Sequence, residues 1–95
     1  MSDLDELFAE LMQDRGFAAE YERLRPGMEL SESVIRAREK AGLSREELAR
    51  KANVSLSAMR RLEDSAKIPG SAALRRIADA LGLSLRISLV QKSAA

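Results

Sequence analysis

The chain has 95 residues, enough for one small domain, and its core must be largely aliphatic because aromatic residues are only 3% of the sequence. It contains neither cysteine nor histidine, which excludes disulfides, thiolate metal sites and every mechanism that uses histidine as an acid or base. The net charge of +1 conceals an asymmetry: residues 1–32 hold nine acids and three bases (−6), and residues 33–95 hold thirteen bases and six acids (+7). The basic part suits a polyanion partner, although two solvated surfaces of different charge would give the same numbers.

The first part of the chain predicts an acidic, amphipathic helical arm. Apolar residues recur at i, i+3, i+4 and i+7 over residues 3–13, which predicts a helix. A second short helix continues the stripe and is predicted to stop at Pro26 and Gly27, so we place the arm at residues 1–27. The apolar stripe consists of Leu4, Leu7, Phe8, Leu11, Phe17, Tyr21 and Leu24.

A domain of short helices is predicted over residues 28–82. A helix from about Leu30 ends before Gly42, and a capping box formed by Ser44 and Glu47 starts a short helix that ends near Ala52. Asn53 suits the left-handed position of a tight turn. A further short helix then runs from Ser55 to about Asp64, and a last one is capped by Ser71 and ended by Gly82.

The spacing of the apolar residues changes in the C-terminal tail, residues 83–95. Apolar residues alternate with polar ones after Gly82, which predicts a half-buried strand within a dimerisation segment at residues 83–95. The sequence offers no second strand, so the simplest partner is the same strand of another chain across a two-fold axis. The alternative is an amphipathic extension packed on its own helix. The inward residues of the strand are Leu83, Leu85, Ile87 and Leu89.

Two short helices joined by a three-residue turn are a helix-turn-helix arrangement. Residues 42–63 resemble the helix-turn-helix of Cro-type phage repressors and XRE regulators, and the likeness extends over residues 30–82. The matching pattern consists of Leu48, Ala49, Val54, Met59, Leu62 and Glu63. Together with the predicted arm and the predicted strand of the tail, the resemblance implies a mainly α fold: a Cro/XRE-type helix-turn-helix bundle with an N-terminal helical arm and a C-terminal β-strand that pairs across a dimer.

The resemblance also implies a set of DNA-binding residues. The second motif helix would face the base edges of the major groove with Ser55, Leu56, Ser57, Arg60 and Arg61. Leu56 departs from the polar residue common in the family and cannot read an adenine. The implied phosphate contacts are Ser44, Arg45 and Lys67. The alternative interpretation of Arg60 and Arg61 is a solvated helix face, and that of Ser44 is an ordinary N-cap.

One pair of charges has a structural role in the family. In Cro-type repressors an arginine and a glutamate at the positions of Arg38 and Glu63 form a partly buried ion pair that fixes helix packing. We expect the same pair here.

The two ends of the chain are similar to HigA-type antitoxins, which pair with RelE-like ribonuclease toxins. This implies that the arm binds a basic RelE/HigB-like toxin through Leu4, Leu7, Phe8, Leu11, Phe17 and Tyr21. The stripe could instead fold back onto its own domain.

The sequence therefore predicts an antitoxin that represses its own operon as a homodimer on a palindromic operator. The alternative is a free-standing XRE-family repressor without a toxin. A third possibility is a helical scaffold that uses the motif only for contacts with proteins, and the charge of +7 on residues 33–95 disfavours it. We expect no enzymatic activity, cofactor or metal. The chain has no apolar run long enough to span a bilayer, and its acidic start is unlike a secretory signal, so we expect a cytoplasmic protein.

Overall fold

The computed structural model describes residues 2–91 and is mainly helical, with five helices and no strand in that part of the chain. None of these helices is both long and apolar enough to cross a membrane. The helices are α1 (Asp3–Leu11), α2 (Arg15–Lys40), α3 (Arg45–Ala52), α4 (Leu56–Ser65) and α5 (Ser71–Ala80).

Local chemistry sets the limits of α3 and α4 as the sequence predicts. The hydroxyl of Ser44 accepts a hydrogen bond from the N–H of Glu47, and the Glu47 carboxylate accepts one from the N–H of Ser44. Asn53 ends α3 in the left-handed conformation with φ of 54°, and the Ser55 hydroxyl caps α4. The predicted helix, turn and helix are confirmed.

The core lies between the second half of α2 and the three helices that follow it. Its members are aliphatic or small, as the scarcity of aromatic residues requires. Each fully buried large side chain contributes about 1.5–3 kcal/mol, which stabilises helices too short to form alone. The buried apolar residues are Val34, Leu48, Ala49, Ala52, Met59, Leu62, Leu74 and Ile77.

The predicted helix end at Pro26 and Gly27 is wrong, because α2 continues through both residues. Proline removes one backbone donor from a helix, but the burial of Ser31 and Val34 in the following turns holds the helix against the rest of the domain. Gly27 is buried where α2 crosses the end of α4, and a Cβ atom there would lie 2.2 Å from the carbonyl oxygen of Ala66. Glycine therefore permits a close helix crossing here. The division into an arm and a domain stays a prediction, and it falls inside one continuous helix.

Helix α1 packs on the first turns of α2, and most of the apolar stripe remains in solvent. The ring of Phe8 meets Tyr21 and Phe17 edge-on, with centroid distances of 5.0 Å and 6.5 Å. Leu4 and Leu7 remain 76% and 50% exposed, and α1 has no buried residue. The stripe therefore does not complete the helix-turn-helix core, which was the alternative interpretation of the arm.

The predicted cap of the last helix needs a correction. Ser71 is the first helical residue of α5, and Gly70 is its N-cap, without a side-chain hydrogen bond. The backbone N–H groups at this end are thus left without the capping that α3 and α4 have.

Residues 83–91 have no regular secondary structure in the single chain. Leu85 is half-buried, and Leu83 and Leu85 line a groove between α2 and α5, whereas Ile87 and Leu89 are exposed. The strand and its pairing across a dimer stay predictions, since a lone chain supplies no partner strand. Residues 92–95 of the predicted tail lie outside the described residues.

We expect Gly27→Ala to lower the free energy of unfolding by about 1–3 kcal/mol, because its methyl group would overlap the carbonyl oxygen of Ala66. The measurement is urea denaturation followed by circular dichroism. Gly70→Ser is the control: its site is open, and a serine cap adds a few tenths of a kcal/mol at most. A Gly27→Ala variant as stable as the parent would contradict the close crossing.

Candidate nucleic-acid interface

Helix α4 presents a polar and cationic face to solvent. Met59 and Leu62 point into the core, which leaves Ser57, Arg60 and Arg61 exposed on the outside. Every ion pair among the described residues joins other side chains, so both guanidinium groups are available to an external acceptor. Ser55 is also exposed, at the N-terminus of the helix. The arrangement can donate several hydrogen bonds to one ligand surface.

A second cation lies beside Arg61. Arg61 and Lys67 line the same open hollow of about 310 Å³, together with the loop 68–70 and two alanines. Two positive side chains around one concavity favour an anionic group. The structure thus brings together the predicted base-contacting helix and one of the predicted phosphate contacts.

Leu56 is less available than the sequence suggests. Its side chain is half-buried and packs against the hydrophobic core at the first position of α4. Only part of its surface is left for an apolar contact such as a thymine methyl group. Its burial explains why a leucine is favourable at this position.

Ser44 is a helix cap whose surroundings include a fixed negative charge. Its N–H and hydroxyl both engage Glu47, and the hydrogen bond from the Ser44 backbone lowers the pKa of that carboxyl. The Glu47 carboxylate occupies the N–H of Ser44, which is one of the donors that a phosphate at this helix end would use. Sequence reasoning identified the capping box but not this competition.

A buried carboxylate joins three helices behind the exposed face. The Glu63 side chain is fully buried, and Arg38 donates to both of its oxygens, at 2.8 Å from Nε and 2.9 Å from Nη2. The same guanidinium donates from Nη1 to the carbonyl oxygen of Leu43, at 2.9 Å. Hydrogen bonding to Glu63 raises the pKa of Arg38, so this guanidinium is charged at every ordinary pH.

Arg45 enters this cluster from α3. Its Nε donates to Glu63 at 3.0 Å, and its Nη1 and Nη2 donate to the two oxygens of Asp64, at 3.0 Å and 2.7 Å. The hydrogen bonds to Asp64 raise the pKa of Arg45. The side chain that the sequence assigns to a DNA phosphate is thus paired with two carboxylates of its own chain. No sequence periodicity indicates this contact, since 19 residues separate the partners.

Ser31 completes the connection between α2 and α4. Its hydroxyl is buried and donates to the backbone carbonyl oxygen of Glu63, at 3.2 Å. Sequence reasoning missed this residue, because a serine inside a helix gives no signal of a distant partner. The position of α4 therefore depends on polar contacts as well as on apolar burial.

Replacing Glu63 by glutamine should lower the free energy of unfolding by about 3–5 kcal/mol, because it leaves the Arg38 guanidinium without its counter-charge. Asp64→Asn is the matched control, since Asp64 is 54% exposed and its loss should change stability far less. Thermal and urea unfolding measure both variants. Equal losses for the two would show that burial does not distinguish them.

The comparisons with known proteins agree with this geometry. A family model described as a helix-turn-helix domain matches residues 29–86, which include α3, the turn and α4. No curated protein and no solved structure matches the sequence. Such a domain indicates a DNA-binding transcription regulator. Because the match covers more than half of its length, the chain belongs to the helix-turn-helix domain family.

Proposed function

We propose that this protein is the antitoxin of a type II toxin–antitoxin module. It represses its own operon by binding a palindromic operator as a homodimer, and it neutralises a RelE/HigB-like ribonuclease toxin through its arm. Family membership supports the DNA-binding half of this proposal. The observation that carries the other half is the exposed apolar stripe on an acidic arm.

Binding to DNA would place α4 in the major groove. Arg60 and Arg61 have the bidentate donors that suit guanine O6 and N7, and the serines at the start of the helix reach base edges or phosphates. Lys67 would contact the backbone from the neighbouring loop, and Ser44 and Arg45 from the start of α3. Two copies paired through residues 83–90 would present two α4 helices about 34 Å apart, one turn of the duplex.

Toxin binding would use the face of α1 that α2 leaves uncovered. Leu4, Leu7 and Leu11 are exposed at helical spacing, an arrangement that fits an apolar groove on a partner. Helix α1 also carries four acids, which are Asp3, Asp5, Glu6 and Glu10. A ribonuclease that holds RNA is expected to be basic. Opposite charges would accelerate the encounter and orient the two proteins.

A free-standing repressor is the second candidate. The contact of Phe8 with Tyr21 and Phe17 favours it, because α1 already has a partner within its own chain. In that case α1 would stabilise the first turns of α2. Loss of α1 would then lower the free energy of unfolding and would not affect the binding of a toxin.

We expect the double variant Arg60→Ala, Arg61→Ala to lose at least tenfold in affinity for duplex DNA from the upstream region of its gene, because both cations face the ligand. Fluorescence anisotropy at two salt concentrations measures the affinity. The matched control is Arg75→Ala, Arg76→Ala, which removes the same charge from the exposed side of α5. Equal losses in the two variants would contradict a specific role for α4.

We expect the double variant Leu4→Asp, Leu7→Asp to lose neutralisation of the neighbouring gene's product while it keeps its affinity for DNA, because it destroys only the exposed stripe. Growth of cells that co-express the two genes measures neutralisation. Ala9→Asp, Gln13→Asp adds the same charge to exposed positions outside the stripe and should remain protective. Full protection by the stripe variant, or a neighbouring product that is not toxic, would favour the free-standing repressor.

A further inference from the structure

Asp64 is the solvent-facing member of the charged cluster behind α4. Its side chain is 54% exposed, whereas that of Glu63 is fully buried. Asp64 accepts from both terminal nitrogens of Arg45, and Glu63 accepts from its Nε. The Arg45 guanidinium therefore has one buried, permanent partner and one partner at the surface.

The position of Asp64 places it close to the proposed DNA-binding face. It follows Arg60 by four residues on α4, so the two side chains lie one helical turn apart on the same side. Its carboxylate nevertheless pairs with Arg45, on a different helix. An acid at this point has no role in attracting a polyanion, and it opposes one.

We propose that Asp64 is a built-in competitor for a DNA phosphate on the terminal nitrogens of Arg45, and that it thereby limits the affinity of the protein for duplex DNA of any sequence. This inference rests on the proposed contact between Arg45 and the DNA backbone. Carboxylate and phosphate oxygens both accept the parallel pair of N–H groups that an arginine offers. Binding would exchange one acceptor for the other while Nε stays on Glu63.

The exchange changes how the binding free energy is divided between phosphate contacts and base contacts. A phosphate contact that first requires the release of Asp64 adds little net affinity, and phosphate contacts are the same for every sequence. Base contacts by Arg60 and Arg61 then supply a larger share of the binding free energy. Asp64 therefore removes a larger fraction of the non-specific binding free energy than of the operator binding free energy, although the affinity changes by the same factor for both.

The test measures the affinity of Asp64→Asn for a random-sequence 20-base-pair duplex, by fluorescence anisotropy over a series of salt concentrations. We expect about tenfold tighter binding at low salt. We expect the slope of log K against log salt to change by less than about 0.9, the value for one phosphate contact, because Arg45 contacts the phosphate in both proteins. Asp79→Asn is the control, because it removes one exposed carboxylate from α5 without releasing an arginine.

A second background separates release of Arg45 from a simple loss of negative charge. In an Arg45→Ala chain, Asp64→Asn should have no more effect than Asp79→Asn has. The proposal is overturned if Asp64→Asn binds no tighter than the parent, or if its gain persists without Arg45. A parent protein that binds no duplex at all would instead refute the proposed function, which keeps the two failures distinct.

Discussion

The buried carboxylate of Glu63 is the constraint on which the rest of the structure depends. It lies without exposed surface between two guanidinium groups, from Arg38 on α2 and Arg45 on α3. Apolar burial drives these short helices together, but it is non-directional, whereas a carboxylate with three hydrogen bonds accepts only a narrow range of helix positions. The orientation of α4, and with it the direction of Arg60 and Arg61, follows from this contact.

Sequence alone predicts the parts of the fold that depend on neighbouring residues. The capping box at Ser44 and the left-handed turn at Asn53 act within a few positions, so the limits of α3 and α4 can be derived from them. Gly27 could not be interpreted in this way. Its partner is the backbone of Ala66, far along the chain, so the local pattern predicts a helix end at a glycine that the fold requires for close packing.

The same limit applies to the candidate site. Arg45 has the charge and the helix position of a phosphate contact, and the sequence contains nothing that indicates its pairing with Asp64. The position of Leu56 predicts that it lies on the DNA surface, yet its side chain packs partly against the core. Residues whose role depends on tertiary contacts are those for which sequence reasoning was incomplete.

Helix α2 connects the two surfaces of opposite charge. Its first turns carry Phe17 and Tyr21, which contact Phe8 of α1. Its last turns carry Arg38, which forms an ion pair with Glu63. Because this helix is continuous through Pro26, the arm and the core of the domain share one element. A partner bound to the acidic arm would therefore be held at a defined position beside the helix-turn-helix.

We expect α4 and its neighbouring loop to contact duplex DNA in the complex. Titration of ¹⁵N-labelled protein with a random-sequence duplex, followed by amide correlation spectra, tests it residue by residue without knowledge of the operator. We expect the largest chemical-shift changes at the amides of residues 55–61 and Lys67, and no change at the amides of α1. Chemical-shift changes confined to α1 or to the outer face of α5 would contradict a DNA contact through α4.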